Sequence, residues 1–315
     1  MSRFNKLIVI CGPTASGKTS AGVGLAKSLG AQVVSADSMQ IYKGMDIATA
    51  KPTHLEMQNV PHHLIGYVDR DKGYSVASYL NDARAVIAQL HRENVLPIVV
   101  GGTGLYISSL VDNIIFDEQE SDKSLRLSLQ KQAEELGNEA MLERLRVIDP
   151  EAASTLHPNN LNRILRALEI YEQTGVTITE QKRRSKLEAS PYDCLMLGID
   201  YADRSVLYER INRRVDIMIG SGLLDEAKNA YEQNCLGDTS AQAIGLKELV
   251  PYFEGNASLD EAIEKIKMET RRYAKRQLTW FRRDKRINWV ICDENTDCEK
   301  ILENFRKIIA KNNFL

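Results

Sequence analysis

The chain has 315 residues, of which 43% are hydrophobic and 27% charged, with a formal net charge of −2. That composition suits a soluble core, as one large domain with an elaboration or as two domains, and no run approaches the ~18 apolar residues of a membrane span. The five cysteines (Cys11, Cys194, Cys235, Cys292, Cys298) are scattered with no C-x-x-C, which excludes a disulfide frame or a zinc site and fits reduced thiols.

The first residues run straight into an apolar segment with no cleavable signal, so a cytoplasmic protein is expected. Residues 7–11 read as a first strand. Gly12, Pro13, Thr14, Ala15, Ser16, Gly17, Lys18 and Thr19 follow and fit G-x-x-x-x-G-K-[ST], and residues 20–29 suit a helix. In that strand–loop–helix setting, glycines let backbone N–H groups turn inward onto phosphate oxygens, and the helix N-terminus adds positive potential. Lys18 then reaches the outer phosphate, and Thr19 offers its hydroxyl to Mg2+. A di- or triphosphate is the expected ligand.

A second strand at 32–36 delivers Asp37 at its C-terminal end, the edge where ligands bind in open α/β sheets. Asp37 is a candidate general base, or else a turn cap within Asp37-Ser38. His62-His63 have no partner at metal-ligand spacing and read as structural or substrate-lining. A third strand at 96–100 runs into Gly101-Gly102-Thr103-Gly104. Its end lacks the acidic residue that orients metal in NTP hydrolysis, and Thr103 offers a hydroxyl instead.

From 116 to 191 the strand signal lapses. Leu125, Leu129, Ala133 and Leu136 fall at helical spacing, as do Met141, Leu142, Leu145 and Ile148. A third helix carries Leu161, Ile164, Leu165, Leu168 and Tyr171 on one face, with Asn159 or Asn160 as its cap and Gly175 as its end. Asn162, Arg163, Arg166 and Gln173 lie off that stripe, on a face that suits a phosphodiester backbone or plain solvent. Lys182, Arg183, Arg184 and Lys186 form a basic cluster. Strands return at 195–199 and 287–291. A helix over 205–219 carries Arg210, Arg213 and Arg214, able to clamp phosphate or to pair with Glu209 or Asp216. Residues 271–286 hold eight basic residues and one acidic, Asp284. Trp280 and Phe281 among them suit RNA stacking or a core equally.

The alternation predicts an α/β fold, P-loop NTPase-like, with a parallel sheet and helices on both faces. Residues 1–116 and 191–315 would form this core, and residues 117–190 an inserted all-helical subdomain.

Taken together, several stretches resemble the tRNA dimethylallyltransferase family (tRNA isopentenyltransferases) of the bacterial type. They are the phosphate loop at 12–19, Asp37-Ser-Met-Gln-Ile-Tyr-Lys-Gly-Met-Asp-Ile47, Thr49-Ala-Lys-Pro52, Pro61-His-His-Leu64, Tyr74-Ser-Val76 and Val100-Gly-Gly-Thr-Gly-Leu-Tyr106. Further on come His157-Pro-Asn159, Asn162-Arg163, Arg166-Ala-Leu-Glu169, Thr174-Gly175, the segment 210–218, Gln242-Ala-Ile-Gly-Leu-Lys247 and Tyr273-Ala-Lys-Arg-Gln277. One departure is Ala48, where the family usually has glycine.

The resemblance implies transfer of a dimethylallyl group from dimethylallyl diphosphate to N6 of the adenine immediately 3′ of the anticodon in tRNA, with Mg2+. It implies Asp37 as base, Thr103 near the bridging oxygen, and Lys18, Thr19 and Arg214 on the diphosphate. It gives tRNA contacts to Asp37, Ser38, Met39, Gln40, Thr103, Arg126, Asn162, Arg163, Ile164, Leu165, Arg166, Gln242, Ala243, Ile244, Gly245, Leu246 and Lys247. The inserted helices then grip the anticodon stem-loop, and a monomer is expected. Three other classes remain open: a P-loop kinase for a small metabolite, an adenylate isopentenyltransferase acting on AMP, and a silent RNA-binding protein.

Overall fold

The computed structural model describes residues 5–115, 123–185, 189–233 and 235–315. Lys186 of the basic cluster and the expected boundary at 116–117 lie outside the described residues. The chain divides into two compact units, Met1–Val111 with Pro191–Leu315, and Asp112–Ser190.

The larger unit opens with β1 (Lys6–Cys11), α1 (Lys18–Leu29), β2 (Gln32–Ala36), α2 (His54–Met57), β3 (His62–His63), α3 (Val76–Arg92), β4 (Pro97–Gly101) and α4 (Gly104–Val111). The smaller unit holds α5 (Lys123–Leu136), α6 (Asn138–Ile148), α7 (Pro150–Ser154), α8 (Leu161–Thr174) and α9 (Ile178–Ser185). The chain then returns to the larger unit with β5 (Asp193–Tyr201), α10 (Arg204–Gly220), α11 (Leu223–Glu232), α12 (Val250–Phe253), α13 (Leu259–Phe281), β6 (Ile287–Cys292) and α14 (Cys298–Lys311).

The strands form one sheet in the order β3-β2-β4-β1-β5-β6, and every pairing is parallel. β1 is central and wholly buried, which is why it reads as an unbroken apolar run rather than an alternating one. Its side chains still alternate between faces. Ile8 and Ile10 pack toward Val23 and Leu25 of α1, Ile211 of α10 and Phe305 of α14. Leu7, Val9 and Cys11 pack toward Tyr79 and Ile87 of α3 and Ile107 of α4. Helices therefore cover both faces, and the phosphate loop joins the central strand to α1, the P-loop NTPase-like arrangement. Gly101 ends β4 where a Cβ would come within 2.1 Å of the Ala36 carbonyl oxygen, so only glycine lets β2 and β4 close at the ligand edge.

Two features escape the sequence. β3 is a sixth strand, only two residues long, pairing Val33 with His62 and Val34 with His63. The smaller unit has five helices among its described residues, not three, because short α7 and α9 add to the periodic ones. Its core joins Leu129, Met141, Leu145, Ile164, Leu165 and Leu168, all at most 1% exposed. Asn160 precedes α8 but makes no side-chain cap; its Oδ1 accepts instead from His157 N at 3.1 Å. Gly175 does end α8, at φ 69.

Phe305 is fully buried between α14 and the sheet. Phe305→Ala should therefore lower the unfolding free energy by about 3–5 kcal/mol. Denaturant titration checks this, and a loss under about 1 kcal/mol would mean the α14 face is not a packed core.

Candidate active site

The loop between β1 and α1 reverses the chain through residues with positive φ: Gly12 at 151, Ala15 at 60 and Gly17 at 92. At Gly12 a Cβ would stand 2.7 Å from the Ile199 carbonyl oxygen, so the loop enters through a glycine that cannot be replaced without moving β5. The loop is braced from three elements. Gln277 of α13 accepts from Thr14 N at 2.8 Å, Arg210 of α10 donates to Ala15 O at 3.0 Å, and Tyr201 of β5 donates to Ser16 O at 3.4 Å. Lys18 Nζ donates to Pro13 O at 2.6 Å.

The loop borders a cavity of about 280 Å³ at the C-terminal edge of the sheet. Thr14, Lys18, Thr19, Asp37, Ser38, Met39, Gln40, Arg214, Gln242, Ala243, Ile244 and Lys247 all line it. Residues far apart in sequence thus meet, as a ligand pocket of an open α/β sheet requires. The dual reading of Asp37 resolves as both. Its Oδ1 caps the turn, accepting from Met39 N at 2.9 Å and Gln40 N at 3.3 Å. That leaves Oδ2 with no hydrogen-bond partner among the described residues, on a carboxylate whose orientation is fixed.

Thr103 is half-buried in the turn after β4. Its Oγ1 accepts from Ser38 N at 3.0 Å and donates to Ser38 Oγ at 3.3 Å, tying the β4–α4 turn to the Asp37 turn.

Charge is unevenly compensated. Burial brings Lys18 down to about 8, nearby Arg214 pushes the same way, and Asp37 opposes them. Burial also lowers Arg214, again against the attraction of Asp37. Asp37 thus acts on both desolvated cations and Glu56 on Arg214 alone, and such a cationic site favours an anion. Among the described residues no group of three or more His, Cys, Asp or Glu side chains is placed to hold a metal. Thr19 is the predicted metal contact that lines the cavity.

The family model for IPP transferase matches residues 40–284. The tRNA dimethylallyltransferase of Caldanaerobacter subterraneus subsp. tengcongensis is 48% identical over 308 residues, covering 97% of this chain and 98% of its own. That of Bacillus subtilis is 46% identical over 306 residues, with 97% of each covered. The chain belongs to the tRNA dimethylallyltransferase family. Solved structures agree. The full-length tRNA isopentenylpyrophosphate transferase of Bacillus halodurans is 43% identical with a TM-score of 0.73, covering 98% of this chain and 97% of that one. A eukaryotic dimethylallyltransferase acting on tRNA is 31% identical with a TM-score of 0.79, covering 98% of this chain and 79% of that one.

Set among tRNA dimethylallyltransferases, some expected contacts need correction. Ile164 and Leu165 are 0% and 1% exposed in the core of the helical unit, and Leu246 is 3% exposed. These side chains hold helices together and have no face to offer a partner. Gly245 bonds to Glu248 at 2.9 Å and turns the chain at φ 97. Ala48, the departure from glycine, is not among the residues with positive φ, so its Cβ costs nothing. Asp216 pairs with Lys267 rather than an arginine, and Arg213 is exposed. Phe281 is core at 2% exposure and Trp280 is surface at 40%.

In the helical unit Arg126, Asn162 and Arg166 draw together. Arg126 reaches the buried carboxylate of Glu169 at 3.5 Å and Asn162 Oδ1 at 3.3 Å; Arg166 reaches Glu169 at 3.2 Å. Arg163 is exposed on the same helix.

Sequence reading missed Thr270, Tyr273, Arg276 and Gln277 as cavity residues. The signal was present: Ile266, Thr270, Tyr273 and Gln277 recur at helical spacing on α13, a partly polar stripe where a core stripe would be apolar. Gln277 also donates to Gly102 O at 3.0 Å, so it joins the phosphate loop to the β4–α4 turn.

The lowered Lys18 sets a pH signature. In the free protein the cost of keeping it charged is present in full below about pH 8 and is relieved as pH rises from there toward 10.5, where the unfolded chain still holds the proton. A bound diphosphate favours the ammonium, so binding at pH 8–9 should take up a proton. Calorimetry in buffers of different ionisation enthalpy measures it. The uptake should shrink in Lys18→Ala; equal uptake in both proteins would place the titrating group elsewhere.

Proposed function

We propose that the cavity transfers a dimethylallyl group from dimethylallyl diphosphate to the exocyclic N6 of the adenine immediately 3′ of the anticodon in tRNA, giving N6-isopentenyladenosine. The observation that carries this reading is one oriented carboxylate with a free oxygen beside two desolvated cations in the same pocket. An aromatic amine is a weak nucleophile, so a fixed base is needed. Asp37 Oδ2 takes the N6 proton as the bond from N6 to the allylic carbon forms. The allylic C–O bond breaks, and its electron pair leaves on diphosphate. Lys18, Arg214 and the backbone N–H groups of the loop stabilise that developing charge. Ser38, positioned by Thr103, borders the same reaction space.

The Thr19 hydroxyl would hold Mg2+ beside the diphosphate, and the ion would supply further charge neutralisation when bound. The adenine leaves its stack to enter the pocket. Gln40, Gln242 and Lys247 line the cavity to meet it, and Arg126, Asn162, Arg163 and Arg166 of the helical unit take the anticodon stem-loop. On this reading the enzyme works as a cytoplasmic monomer. Mass spectrometry of tRNA nucleosides after reaction with dimethylallyl diphosphate and Mg2+ tests the whole assignment. Thermal protection by ATP, and none by dimethylallyl diphosphate, would favour a kinase instead.

Asp37→Asn keeps the size and the cap but removes the base. Turnover should fall on the order of a hundredfold or more with tRNA affinity nearly intact. Single-turnover rates decide, and a near-normal rate would remove Asp37 from the mechanism.

Replacing both Arg163 and Arg166 with Ala should weaken tRNA binding and lower the salt slope by about two, one for each phosphate left without its arginine. Donor binding should stay the same. Filter binding across several salt concentrations is the check, and a parental affinity and slope would show this face to be merely solvated.

A further inference from the structure

Residues 46–51 form a tight turn whose Ala48, Thr49 and Ala50 line the cavity. The turn closes on itself through Ala50 N to Ile47 O and Lys51 N to Asp46 O, both at 2.9 Å. Its three leading amides do not face one another. Asp46 N, Ile47 N and Ala48 N donate to a single carboxylate, Glu226 of α11, at 2.8, 2.9 and 2.8 Å. Oε2 accepts the first two and Oε1 the third, across about 180 residues of sequence. Successive N–H groups aimed at one point make an anion-binding concavity. Here the chain fills it with its own carboxylate, through charge-assisted bonds stronger than neutral ones.

The far end of the same turn is held through its carbonyls by residues of the proposed reaction. Arg214 Nη2 donates to Ala50 O at 3.3 Å, its one side-chain hydrogen bond among the described residues. Gln40 Nε2 donates to Thr49 O at 3.2 Å and Ala50 O at 3.3 Å. The Ala50 carbonyl therefore sets where the Arg214 guanidinium rests; Gln40 holds that carbonyl directly, and Glu226 holds the other end of the turn that carries it. A long flexible arginine bound at one point gains most from a fixed support, because order imposed beforehand is not lost when the ligand binds.

We infer that Glu226 is a positioning residue of the transferase reaction, holding the 46–51 turn so that Ala50 presets Arg214 toward the diphosphate. The inference rests on the reading of Arg214 as a diphosphate ligand. Glu226 is half-buried on an outer helix and touches no reacting group.

Glu226→Gln preserves shape but turns an NH2 group toward a backbone N–H, donor against donor. Steady-state constants for both substrates and melting temperatures are measured for Glu226→Gln, Arg214→Ala and the double variant. Glu226→Gln should raise the donor KM about tenfold and move tRNA affinity by less than about twofold. The double variant should be no worse than Arg214→Ala alone, because the two act through one interaction. Losses that multiply, an equal loss of tRNA affinity, or a lower melting temperature with the parental donor KM each overturn the inference. If Arg214→Ala is impaired and Glu226→Gln is not, only the positioning role falls. If Arg214→Ala keeps the parental donor KM, the reading of Arg214 falls first and the inference with it.

Discussion

The site depends on holding Lys18 and Arg214 together, desolvated, against one carboxylate. Like charges in a shrinking dielectric repel, and burial alone already pulls both cations down. Lys18 donates to Pro13 O and Arg214 to Ala50 O, neutral acceptors that do not cancel the charge of such a pair. It is kept by geometry imposed from outside: a loop entered through Gly12, an arginine on α10, and the well-packed clusters that fix β1, α1 and α10 to one another. Two desolvated cations are what a polyanion relieves, so the fold holds an attraction for anions before any ligand arrives.

A second constraint is that two very different substrates must meet in one cavity. The phosphate loop and the turn after β2 both border that cavity. Gln277 spans the two, accepting from Thr14 and donating to Gly102. Thr103 and Ser38 then tie Gly102's neighbour to the turn that carries Asp37. Phosphate loop, β4–α4 turn and the Asp37 turn are thus a continuous hydrogen-bonded chain, linked by Gln277 and Thr103, side chains with both a donor and an acceptor to give. A residue with only one of those, such as glutamate at 277, would break the chain at one end.

What the sequence made legible follows from how local each signal is. The phosphate loop, the apolar runs of β1 and β4, and the stripe of α8 are encoded within a dozen residues and appear where expected. β3 was invisible because two residues carry no period, and α7 because one helical turn does not. Gln277 and Glu226 carry their meaning in contacts 263 and about 180 residues away. In one dimension Glu226 is simply an acid on an amphipathic helix, and its role exists only once three amides are folded onto it. For residues 162–166 the helical period was the better guide: it put Ile164 and Leu165 on the apolar stripe and Arg163 and Arg166 off it, whereas the family resemblance took the segment whole, and the structure buries the first pair and exposes the second.

The helical unit shows the same principle at work on charge. Glu169 is 2% exposed, and two arginines lie within 3.5 Å of it. A buried carboxylate beside two arginines lowers their pull on any polyanion, and simple charge counting would remove it. Its presence makes sense if the cost in attraction is smaller than the gain in order. Arg126 and Arg166 have five donors each and use few of them on Glu169 and Asn162, so their remaining N–H groups stay available in a fixed direction. Long side chains lose much rotamer freedom on binding, and a buried acid that has already taken that freedom away leaves less to lose when a phosphate arrives. In each unit, then, cations are fixed beforehand by the chain's own acids and carbonyls.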